Sequence, residues 1–92
     1  MTREEIESFI ESHGLEGPIT LADGLDNAFI GVHTEGDTPC AVYSIDKCIF
    51  ILAEQMTKEE ASEYFWFNVA GAGGEGFPIY VFTPEEGKGP YD

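Results

Sequence analysis

Thr57 to Phe82, TKEEASEYFWFNVAGAGGEGFPIYVF, is the stretch whose reading decides the fold: a helix of high aromatic density, a glycine-rich turn and an apolar strand. Thr57 and Glu60 form a capping box, so a helix starts at once and runs to about Val69, with Gly71 as its stop. Pro78 to Thr83 then alternates, Ile79 and Val81 on one face and Tyr80 and Phe82 on the other. Trp66, the single tryptophan, lies in the helix, so a core is expected to form here.

Upstream, Ile45 to Met56 is ambiguous by composition, since CIFIL also suits a buried strand. A helix is the better reading. Ser44 can cap it, Asp46 suits its first turn, and Ile45, Ile49, Leu52 and Met56 share one face. Before it, Ala28 to Glu35 and Cys40 to Ser44 alternate as strands on either side of an EGDT turn, an antiparallel hairpin opened by Pro39 on its second side. Thr2 with Glu5 is a second capping box, and Ile6, Phe9, Ile10 and His13 place a first amphipathic helix before Gly14. Gly17 and Pro18 set off a brief apolar piece, Ile19 to Ala22, taken as a short strand before the turn formers of DGLDN.

The order is therefore α-β-β-β-α-α-β, an α+β fold with three helices on a small, mostly antiparallel sheet of three to four strands. Ninety-two residues at 42% apolar composition suffice for one domain, residues 1–83, followed by a flexible tail, residues 84–92.

A net charge of −14, from 18 acids against four bases, bounds function more tightly than any motif. Each phosphate contact needs a Lys or Arg, and only Arg3, Lys47, Lys58 and Lys88 exist, so neither nucleic acid nor an anionic membrane is an expected partner. A basic protein is. No apolar run approaches a bilayer's span, and two cysteines behind an opening without a signal segment point to free thiols in the cytoplasm.

Candidate chemistry is thin. Gly71, Gly73 and Gly76 match G-x-G-x-x-G, but after a helix and before a strand, the reverse of the order that aims a helix N-terminus at a phosphate. Cys40, Cys48, His13 and His33 match no zinc spacing, although His33 and Cys40 flank one hairpin. Asp23, Asp26, Asn27, Glu35 and Asp37 are oxygen donors of the kind calcium prefers, without EF-hand spacing. Asn68, amid apolar neighbours, is expected to be buried and bonded to the glycine turn. No enzyme, cofactor or metal site is expected.

Three blocks, LADGLDNAFIG, AVYS with KCIFIL, and MTKEEASEYFWFNVAGAGGEGFPIYVF, together resemble a family of small proteins encoded by tailed bacteriophages and some bacteria, over Leu21 to Phe82. The family has no established activity, so the resemblance implies a setting, the host cytoplasm, more than a mechanism. Where the family tends to carry acidic residues, this chain has Phe50 and Trp66. Either the two pack on each other or under the first helix, or they form a surface for a partner or a homodimer. The leading expectation is a non-enzymatic accessory protein that binds a basic host or phage protein. In its concrete form it is a nucleic-acid mimic whose carboxylates, among them Glu59, Glu60 and Glu63 beside Glu4, Glu5, Glu7 and Glu11, enter a basic cleft of a defence or transcription protein. A self-assembling structural protein using Phe50 and Trp66 is one alternative; a small metal-dependent factor is another.

Overall fold

A computed structural model describes residues 1–71, 73–74 and 76–84. Its α+β architecture comprises helix α1 (Arg3–Ser12), strands β1 (Phe29–His33) and β2 (Cys40–Ser44), helices α2 (Ile45–Leu52) and α3 (Lys58–Tyr64), and strand β3 (Ile79–Val81). Five residues of π-helix, Phe65–Val69, prolong α3, and a 3-10 turn, Asp26–Ala28, leads into β1. The expected tail lies outside the described residues from Glu85 onward.

Each helix starts where its capping chemistry says. Thr2 Oγ1 accepts the Glu5 N–H at 3.1 Å while the Glu5 carboxylate accepts the Thr2 N–H at 2.8 Å. Thr57 and Glu60 repeat the pair at 3.1 and 3.2 Å, and Ser44 Oγ caps α2 through the Lys47 N–H. Satisfying orphan N–H groups in this way fixes the start of helices too short to stand on propensity alone.

The sheet order is β1-β2-β3. β1 and β2 form the expected antiparallel hairpin, but β3 runs parallel to β2, with Val42 opposite Ile79 and Ser44 opposite Val81. The sheet is thus mixed, not mostly antiparallel. The α2–α3 excursion supplies the long crossover that a parallel neighbour needs. Ile19 to Ala22 is not a strand: Thr20 N–H donates to the Gly76 carbonyl at 2.9 Å and Ala22 N–H to the Tyr43 hydroxyl at 2.9 Å. The segment is pinned by the glycine turn and by one core side chain, with no ladder.

The hairpin also departs from simple alternation. Phe29 faces Tyr43 and Gly31 faces Val42, so Ile30 is an extra residue, a bulge that turns it out to solvent. Phe29, Tyr43 and Tyr80 thereby line up across the three strands, with successive centroids 5.8 Å apart. Phe9 of α1 packs edge-on to Phe29, and Phe65 packs edge-on to Tyr80. Ile6, Leu25, Ala28, Ala41, Ile45, Cys48 and Phe65 close this core. Gly76 is required where it stands, because it is buried at φ +78° and a Cβ there would run into the Pro18 carbonyl.

Candidate functional site

The outer arc of α3 and its π-helical extension is the most distinctive surface. Ala61 and Phe65, four apart, are fully buried. In a continuing α-helix Asn68 would come next on that inward face. Instead the Ala70 N–H bonds back five residues to the Phe65 carbonyl at 2.8 Å, which winds the chain more loosely by one residue. Val69 and Ala70 then meet the core, and the Asn68 side chain is exposed, without a hydrogen-bond partner among the described residues. The expected burial of Asn68 is therefore wrong, and the inserted residue is the reason.

The aromatics lie outside. Phe67 is 83% exposed, Trp66 47% and Tyr64 45%. Trp66 packs edge-on to Phe65 and lies 6.3 Å from Phe82, itself exposed just beyond β3. Phe50, on the outer side of α2, is 74% exposed and has no ring contact with Trp66. The two do not pack on each other or under α1; both face solvent. Sequence reasoning missed Tyr64, Phe67 and Phe82. Counting outward from the buried pair Ala61 and Phe65 would have found the first two.

Glu59, Glu60 and Glu63 are exposed on the same helix, in the turns just before these rings. Glu60, Glu63, Tyr64 and Phe67 recur at i, i+3, i+4 and i+7, and with Met56 and Asn68 they line an open groove of about 450 Å³. Among the described residues Arg3 makes the only ion pairs, to Asp23 at 2.9 Å and Asp26 at 3.3 Å. Among the described residues no cation is therefore paired with the α3 carboxylates.

Most of the remaining candidates are occupied with structure, while Glu35 and Asp37 stand exposed in the hairpin turn. Asp23 and Asp26 hold the Arg3 guanidinium and Asn27 Oδ1 accepts from the N-terminal amine at 3.2 Å, so the chain's own cations use those oxygens. Among the described residues no cluster of His, Cys, Asp and Glu could hold a metal. His33 and Cys40 are cross-strand partners, but the Cys40 thiol leans on the Thr38 carbonyl at 3.6 Å. His13 is spent on α1, stacked on Phe9 and bonded to its carbonyl through Nδ1. Cys48 is fully buried, and loss of solvation pushes its thiol up to about 12, which removes the thiolate a nucleophile needs. Gly76 is occupied with Pro18 and Thr20, which makes the glycine turn a packing device.

No helix among the described residues is long and apolar enough to cross a membrane. Comparisons with protein families, with curated proteins and with solved structures found no match, so function rests on the surface just described.

Proposed function

We propose that this chain is a non-enzymatic, acidic accessory protein that acts by binding a basic partner protein through the outer arc of α3. One observation carries the reading: exposed Tyr64, Trp66 and Phe67 share the outer face of one helix with Glu59, Glu60 and Glu63, and among the described residues no cation is paired with those carboxylates. Exposed aromatic clusters mark contact surfaces. A field of −14 selects basic partners and speeds their approach at low salt.

In its concrete form the protein is a phage-type nucleic-acid mimic in the host cytoplasm, its carboxylates filling a basic cleft of a defence or transcription protein. Immobilised protein should then retain a basic, nucleic-acid-binding host protein at low and moderate salt, and duplex DNA or RNA should release it. Retention of no such protein at either salt would defeat the reading. A second reading, self-assembly through Phe50 and Trp66, draws on the exposure of both rings. It requires a concentration-dependent mass in sedimentation that Trp66→Glu abolishes.

A further inference from the structure

Mimicry uses carboxylates and leaves the aromatics of α3 without a purpose. The groove of Met56, Glu60, Glu63, Tyr64, Phe67 and Asn68 combines an apolar floor with two carboxylates at its rim. Its residues repeat with the helical period and cover about three turns, roughly 16 Å. Among the described residues the Glu63 carboxylate makes no hydrogen bond or ion pair, and that of Glu60 accepts only the Thr57 N–H of its own capping box, so both rim charges are available. A second copy would bring another −14 and the same glutamates against them, which disfavours it. Nucleic acid is repelled for the same reason. A segment with Lys or Arg beside aliphatic side chains satisfies both features at once: its apolar groups seat between Met56, Tyr64 and Phe67, and its cations reach Glu60 and Glu63 across the ring faces.

We propose that this groove is the seat of a basic amphipathic helix presented by the partner, packed along α3 as helix against helix. The proposal rests on the interaction reading above and assigns the chemistry of the partner's docking element. Helix α1 provides an internal control, because Glu4, Glu7 and Glu11 line a comparable open groove there with Ser8 and Ser12 and no apolar floor.

The test is calorimetric titration of the full chain, at about 0.15 M salt, with a synthetic Leu/Lys amphipathic helix about four turns long. One-to-one binding is expected. The pair Tyr64→Ser and Phe67→Ser, which changes no charge, should weaken it about tenfold or more. Glu60→Gln with Glu63→Gln should also weaken it, the Gln at position 60 keeping the capping box. Glu4→Gln, Glu7→Gln and Glu11→Gln together remove more charge and should change it less than about twofold. Thermal melts establish that each variant is folded. The proposal is overturned by absence of binding, by equal loss in the α1 triple variant, by indifference to Tyr64 and Phe67, or by equal binding of a shuffled peptide without the helical period. Dimers in sedimentation that Phe67→Ser dissociates would assign the groove to a second copy and overturn it as well. None of these failures touches the broader interaction reading, which stands or falls on retention of a basic host protein.

Discussion

Helices α1 and α3 begin with the same device and end differently. Both open on a Thr with a reciprocal Glu three residues later, both carry acids in the first turn, and neither has a basic residue in the last. Yet α1 turns Ile6, Phe9 and Ile10 to the core and leaves outward an almost wholly polar face of Glu4, Glu7, Ser8 and Glu11. Helix α3 commits only Ala61 and Phe65 to the interior and leaves Tyr64, Trp66 and Phe67 outside among its acids. Charge alone does not separate the two faces. What separates them is the residue type at the outward positions, Tyr64, Trp66 and Phe67 on α3 and its extension against only Glu and Ser on α1, while the π-helical turn gives the last inward positions to Val69 and Ala70 in place of Asn68. The lesson is that the acids of α1 solvate a helix, whereas those of α3 surround something a partner can grip.

The two helices should nonetheless be anchored alike, each by one large wholly buried side chain, Ile6 or Phe65, and removing the anchors is the strongest way to break the comparison. Phe65→Ala should cost about 3–5 kcal/mol and Ile6→Ala about 2–5 kcal/mol in urea unfolding. In a domain of this size each kcal/mol shifts the melting midpoint by about 4–8 °C. If Phe65→Ala cost less than about 1 kcal/mol, α3 would not be held through that ring and its outward arc would not be fixed by the core.

An effect of intermediate size should come from the groups that lie beneath α2 and the π-helical turn. Burial pushes the Cys48 thiol from 9.0 and the Tyr80 phenol from 10.0, each to about 12, by penalising the charged form. In both cases the folded state holds its proton more tightly than the unfolded chain. The associated stability is therefore intact below about pH 9 and falls as pH rises from about 9 to 12, where the unfolded state ionises first. Chemical unfolding across that window should show the decline, and Tyr80→Phe should flatten it. Below pH 9 in the native state, a thiol reagent should modify Cys40 and spare Cys48, as intact mass will show. Rapid modification of both would mean that the α2 side of the core opens readily.

The sequence carried the fold's beginnings better than its joins. Thr2 with Glu5, Ser44, and Thr57 with Glu60 are local signals, and local signals survive without tertiary context, which is why every helix start was legible. The direction of β3 was not, because alternation in Pro78 to Thr83 states which side chains share a face and nothing about which way a neighbour runs. The α2–α3 crossover is long enough to permit the parallel pairing, but length alone does not require it. Ile19 to Ala22 misled because its apolar side chains suit a buried loop as well as a strand, and the Tyr43 hydroxyl and Gly76 carbonyl take the N–H groups a ladder would have used. Of the candidate surface, Phe50, Trp66, Glu59, Glu60 and Glu63 were singled out from sequence and all are exposed. Tyr64 and Phe67 were not, because aromatic density reads as core until the inward pair, Ala61 and Phe65, is identified.

The smallest stability effect makes the sharpest contrast. Phe9 is half-buried in α1, its ring 6.0 Å from that of Phe29, and Phe9→Ser should cost roughly 1–3 kcal/mol through lost burial. Phe67 is the most exposed of the large apolar side chains among the described residues, and Phe67→Ser should move stability by no more than about 0.5 kcal/mol in either direction. Paired melts of the two variants measure the difference between an aromatic that builds the fold and one that does not. A phenylalanine whose removal costs the fold nothing still carries a standing cost in solubility, since exposed apolar area favours aggregation. Its place beside Glu60 and Glu63 is then accounted for by binding, and a loss of stability at Phe67 as large as at Phe9 would remove that account.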